Sequence, residues 1–146
     1  MSMPIAFTQP LIVPISARHY RLVEDYVYEW DLAGSRNRIT VFKGFVHDGA
    51  SIPRLAWTLS GLTPDGLIRA AALVHDWIYR HGGKLPASSQ KYRDTAGAWC
   101  DTYGAWSRDD TDRLFARIMR EAGVSKWKRR MAYRAVRWFG GSSWRG

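Results

Sequence analysis

The hydrophobic pattern changes period along the chain. In HYRLVEDYVYEWD (19–31) aromatic and polar residues alternate, which puts Tyr26, Tyr28 and Trp30 on one face of a strand. LAGSRN supplies turn residues, and RITVFKGFV (38–46) reads as the returning strand, so a β-hairpin or small antiparallel sheet is expected over 18–46. HDGASIP then breaks the alternation. Gly49 permits a positive φ and Pro53 pushes Ile52 toward extended geometry, which predicts a shaped loop.

From there the period becomes helical. TPDG is a helix start, with Thr63 as N-cap and Pro64 in the first turn, and LIRAAALVHDWIYR continues to Arg80 before Gly82 and Gly83 stop it. Residues 84–106 are polar and glycine-containing around Tyr92, Trp99, Tyr103 and Trp106, and read as a loop with room for a short helix. SRDDTDRLFARIMREAG is the best-marked helix: Ser107 caps it, Asp109 and Asp110 complement the N-terminal dipole, and Gly123 ends it. A last helix, KWKRRMAYRAVRWFGG, places Trp127, Met131, Ala135 and Trp138 on one stripe, with its cations mostly off it.

The expected fold is therefore α+β: an N-terminal antiparallel hairpin or small sheet packed with about three main helices. No repeat, low-complexity tract or linker divides it, so 1–146 is read as one domain. It runs as an arm (1–17), the hairpin (18–46), an Asp loop with a His-Asp helix (47–83), a variable loop (84–106) and two C-terminal helices (107–140).

Composition adds three limits. An apolar share of 46% with 14% aromatic residues is that of a globular chain, not a disordered one. The single cysteine, Cys100, excludes an internal disulfide framework and a Cys-based zinc cluster, and is expected to be a small buried residue. No secretory signal is visible, and no apolar run reaches the roughly 20 residues that span a bilayer, so soluble synthesis in a cytoplasm is expected. Charge is uneven: residues 107–146 hold 11 Lys/Arg against 4 Asp/Glu, which is +7 of the net +9. Lys126, Lys128, Arg129, Arg130, Arg134 and Arg137 make the last helix a candidate for an anionic surface, with nucleic acid a less favoured partner and a plain solvated face the bland alternative.

The chemistry of interest lies in AALVHDWIYR. His75 shares a stripe with Ile68, Ala71, Ile78 and Tyr79, while Asp76 lies about 100° round, near Leu73 and Arg80. The pair cannot both face water without exposing an apolar face, and a buried carboxylate needs a charge or a donor. The bland reading is an Asp76–Arg80 (i, i+4) pair beside a core histidine bonded to a backbone carbonyl. Asp112 sharpens the choice, because it precedes Phe115 by three residues and Met119 by seven and so faces the core. His75 is a partner for it: a carboxylate on one imidazole nitrogen sets the tautomer and leaves the other as base or ligand. Asp48 in the HDGASIP loop, with Asp76, would form an oxygen site of the kind calcium accepts, and with His75 a zinc or manganese site can equally be written. His47 is a further ligand candidate but is expected at the surface. Ser51 lacks a nucleophile elbow and is expected to cap the short helix of RLAWTLSGL.

GFVHDGASIPRLAW, RAAALVHDWIYR and SRDDTDRLFARIMREAG with the basic helix behind it resemble, in this order, the phage and prophage domain-of-unknown-function family 1353. The likeness covers about 18–140, departing in a longer 81–106 segment and in Thr111, where alanine is common. It implies a tailed-phage or prophage origin and no established activity. HDWIY is also similar to the His-Asp helix of phospholipases A2. That likeness implies His75 as general base, Asp76 and the Asp48 loop as calcium ligands, Tyr79 one turn on, and Asp112 orienting His75. The disulfides and glycine-rich calcium loop of the secreted enzymes are missing.

The function expected from these residues is a phage-encoded accessory protein, read as a metal-assisted hydrolase of the host envelope, on phospholipid ester first and peptidoglycan second. His75 and Asp112 would be catalytic, Asp48 and Asp76 would bind the cation, and Tyr79, Ser51 and Arg80 would support them. The alternative is a non-catalytic virion component at the tail or baseplate, bound to other phage structural proteins. A nucleic-acid-binding or host-inhibiting early protein is a third reading.

Overall fold

The computed structural model describes residues 7–17, 19–32, 34–47, 68–102 and 105–144. Thr63, Pro64 and the HDGASIP loop from Asp48 onward, with Ser51, lie outside them.

The aromatic alternation becomes strand β3 (Tyr26–Leu32), which pairs antiparallel with β4 (Ser35–Val41) in the register Tyr28 opposite Ile39. Tyr26, Tyr28 and Trp30 are buried on its inner face. Polar residues read as turn belong instead to β4. They are held there by charge pairs across the ladder, Arg38 to Glu29 at 2.6 Å and Arg36 to Asp31 at 3.2 Å.

The expected single hairpin is divided between two sheets. β1 (Ile12–Pro14), β2 (Tyr20–Leu22) and β5 (Val46–His47) form one antiparallel sheet in the order β1-β2-β5, so the N-terminal arm contributes a strand. The chain turns between the sheets at Lys43-Gly44, where Gly44 takes φ +89° and the Asp25 carboxylate accepts the Lys43 amide at 2.7 Å.

The segment read as loop over 84–106 holds β6 (Gln90–Arg93) and β7 (Trp99–Asp101), which extend the other sheet to β3-β4-β6-β7. Hydrophobic alternation is absent because this pair is at most half-buried on either side. The turn chemistry is local: Asp94 accepts the Ala98 amide at 2.8 Å and Gly97 takes φ +88°. Cys100 is half-buried here with Sγ 3.6 Å from an Asp94 carboxylate oxygen, not a core residue.

Helix α1 (Arg69–Arg80) is the centre of the molecule, with Ala70 through Tyr79 buried on every side. It ends where Gly82 and Gly83 take positive φ, and the Gly83 amide donates to the Ile78 carbonyl at 3.0 Å. Helix α2 (Arg108–Glu121) packs on α1, and the Ser107 hydroxyl accepts its Asp110 amide at 3.0 Å as the capping pattern predicts. Helix α3 (Lys126–Phe139) packs on α2 through Ala132, Ala135 and Val136. Its buried face is therefore rotated from the expected stripe: Trp127 and Trp138 are 62% and 72% exposed. Small side chains form the contact, and the large ones remain outside. A short 3₁₀ turn (Gly140–Ser143) closes the described chain near its end.

Candidate functional site: a buried carboxylate between three helices

Residues four apart on α1 lie on one face, so His75 and Tyr79 are stacked, with ring centroids 4.1 Å apart. The same face meets the apolar stripe of α2, where Phe115 packs 4.8 Å from the His75 ring. Asp112 occupies that stripe, and neither it nor the His75 side chain is exposed.

One carboxylate gathers the neighbouring donors. His75 Nε2 lies 2.6 Å from Asp112 Oδ1, and the Tyr79 hydroxyl donates to the same oxygen at 2.6 Å. Arg137, from the last turn of α3, donates to Oδ2 at 2.8 Å. Arg108, the first residue of α2, donates to the Tyr79 hydroxyl oxygen at 3.0 Å and to the Val136 and Arg137 carbonyls at 2.6 and 2.7 Å. Arg108 thereby braces the C-terminal end of α3, where the Val136 carbonyl also accepts the Gly140 amide. The cluster ties all three helices to one charge.

The electrostatics rest on burial and these bonds. Burial lowers the His75 pKa below the ordinary imidazole value, outweighing the upward pull of Asp112, so the ring is neutral at neutral pH. Burial pushes the Asp112 carboxyl up, but the donors from His75, Tyr79 and Arg137 together bring it below the usual carboxylate range. Burial, with Asp112 as acceptor, raises the Tyr79 phenol, which stays protonated. A neutral imidazole beside a carboxylate donates from the nitrogen that faces it, so Nε2 carries the proton and Nδ1 the lone pair.

The remaining expected site residues fall in several places. Asp76 is buried and its Oδ2 is 3.5 Å from Arg80 Nη2, the (i, i+4) pair of the bland reading, while Arg80 also lies over the Phe45 ring. His47 is fully buried between Tyr20 and Phe45, which corrects its expected surface position; as the second residue of β5 it faces inward. On α3, Lys126, Arg130 and Arg134 are exposed, and Lys128 is half-buried. Arg129 donates to the Val124 carbonyl at 2.9 Å, and Arg137 belongs to the buried cluster.

Among the described residues no group of three or more His, Cys, Asp or Glu side chains is arranged to hold a metal. Asp76 alone falls short of the six to eight oxygens that calcium takes. Asp48, the other residue expected to hold the cation, lies outside the described residues.

Arg108 carried no expectation. Its signal was present in the chain: a cation on the first turn of a helix opposes the dipole, and this one stands four residues before the buried Asp112.

Two antiparallel sheets, a central buried helix and a His-Asp-Tyr-Arg network define an α+β protein whose polar centre is internal. The chain belongs to the family described as "Protein of unknown function (DUF1353)", which matches residues 20–136. No curated protein and no solved structure matches it.

Proposed function

We propose that the chain is a phage-encoded accessory hydrolase of the host envelope in which His75, oriented by Asp112, is the general base, with phospholipid ester as the first substrate and peptidoglycan as the second. The observation that carries this reading is the anchoring of His75 Nε2 on a carboxylate that Tyr79 and Arg137 also hold. In this reading Nδ1 takes a proton from water as its oxygen attacks the ester carbonyl. Asp112 stabilises the imidazolium, which then returns the proton to the departing alkoxide, leaving a carboxylic acid and an alcohol. A divalent cation on Asp76 and Asp48, calcium before zinc or manganese, belongs to the same reading as the group that would polarise the carbonyl. The exposed cations of α3, with Trp127 and Trp138, would adsorb the protein on anionic lipid.

Because the His75 side chain is fully enclosed, the reaction requires an opening movement at α1. The test is fatty-acid release from phosphatidylglycerol vesicles, with peptidoglycan as second substrate, with and without calcium. His75→Gln is expected to lower the rate at least ~100-fold while the protein stays folded. No release from either substrate, or full activity in His75→Gln, overturns the reading.

The same enclosure favours a second reading, a non-catalytic virion component. There the cluster is a polar staple, and Trp127 and Trp138 pack on other phage structural proteins. Copurification with particles, with no hydrolysis, is its expected outcome.

A further inference from the structure

On the side of α2 turned away from Asp112 there is a cleft of about 720 Å³ between that helix and the four-stranded sheet. Arg117, which lines it, stands five residues from Asp112, about 140° round the helix. None of His75, Tyr79, Arg108, Asp112 or Arg137 lines the cleft, which is separate from the His75 cluster.

Its chemistry is two-sided. Arg113, Arg117 and Arg120 recur at spacings of four and three residues, on one face of α2 and within about 10 Å along its axis. Arg129, from the first turn of α3, joins them. Against these four guanidinium groups the described lining holds one carboxylate, Asp110. Three of the arginines are tethered: Arg113 to Asp109 at 3.0 Å, Arg117 to Glu121 at 3.3 Å and Arg129 to the Val124 carbonyl at 2.9 Å. Arg120 has no ion pair among the described residues. The sheet side presents the half-buried Trp106 and the exposed Leu32 beside the polar Asn37 and Gln90, and the buried Trp30 ring backs Trp106 with centroids 5.8 Å apart.

Like charges gathered on one face repel one another, and an anion removes that repulsion. Guanidinium groups match phosphate geometry by paired donation, and the Trp106 indole beside Leu32 receives an apolar or planar body. The volume is that of a small-molecule site.

We infer that this cleft binds an organic phosphate: a phosphomonoester or phosphodiester that carries an apolar group. Nucleotides and phospholipids share that chemistry. The arginine row holds the phosphate, with Arg120 as the uncommitted donor, and Trp106 with Leu32 holds the rest.

Calorimetric titration of the full chain with adenosine monophosphate, with monomeric dihexanoyl-phosphatidylglycerol and with inorganic phosphate tests this. At least one organic probe is expected to bind at ~1 mM or below, more tightly than inorganic phosphate, and less tightly as salt is raised. Arg120→Gln is expected to weaken it about tenfold, the loss of one charge-assisted bond, while Arg21→Gln on the exposed side of β2, which does not line the cleft, leaves it unchanged. Binding of the nucleotide alone or of the lipid alone supports the site and names its source. If neither binds, if inorganic phosphate binds as tightly, or if Arg21→Gln weakens binding as much as Arg120→Gln, the inference falls.

Discussion

Asp112→Ala removes the acceptor of three donors at once, and the structure sets how much each loss costs. The His75 and Tyr79 side chains are buried, so two donors lose their partner where water cannot replace it. An orphaned buried donor costs about 1–3 kcal/mol. Arg137 is different, because its side chain is 30% exposed and can turn to water or toward Asp109, 3.9 Å away. His75 can move its proton to Nδ1, which reduces its own penalty. The expected total is ~3–4 kcal/mol, within the range for breaking a buried charge pair from one side. For a chain of this length that is a fall in Tm of about 6–16 °C.

Asp112→Asn keeps one carbonyl oxygen for His75 and Tyr79 and turns an amide donor toward Arg137, so its cost is expected to be smaller, ~1–2 kcal/mol. Arg137→Gln leaves the carboxylate its two buried donors, and in that background Asp112→Ala should cost ~1–3 kcal/mol less than in the native chain. Urea titration with circular dichroism as the readout compares all of these proteins with the native chain. A cost below ~1 kcal/mol for Asp112→Ala, or strict additivity with Arg137→Gln, would refute the view that this charge holds the three helices together.

Two further predictions concern pH and backbone. The folded state lowers the His75 pKa, so the unfolded chain takes up this proton first. Stability is therefore full above about pH 6.5 and falls as pH drops below it, by at most ~1.4 kcal/mol per unit from this group, until the lowered folded value is reached. Urea midpoints should decline from about pH 7 to about pH 5, less steeply in His75→Gln; an equal slope in both proteins would contradict this. Gly83 takes φ +84°, and a Cβ there would lie 2.1 Å from the Trp106 carbonyl oxygen, whereas at Gly97, φ +88°, a Cβ would meet nothing. Gly83→Ala should cost ~3 kcal/mol or more and Gly97→Ala ~1 kcal/mol; equal thermal shifts would rule out the close approach of Trp106 as the reason for glycine.

Elements set by their own periodicity were legible in the chain. β3, the capped start of α2 and the glycine stop of α1 each depend on residues within a few positions, and the structure has all three. What depends on partners was not. β6 and β7 carry no apolar alternation, because both their faces are at most half-buried, so only the Asp94 and Gly97 turn marked them. The hairpin divided between two sheets for a similar reason: Val46 reads as a strand residue, but its partner is Arg21, from the other direction along the chain.

The site divides along the same line. His75 and Asp112 could be paired in advance because each stood on an apolar stripe where an unmatched polar group is expensive, and two such costs on facing helices have a common solution. Arg137 stands on a helix rich in cations, and nothing in its neighbours separates it from Arg134 or Arg130. The difference lies in the rotation of α3, which Ala132, Ala135 and Val136 set by packing against α2. Once that small-residue face is buried, Arg137 is carried to the edge where Asp112 lies, and Arg134 is carried outward. A cation in a basic helix is thus assigned to a surface or to a buried carboxylate by the smallest side chains near it, and these were the residues to weigh first.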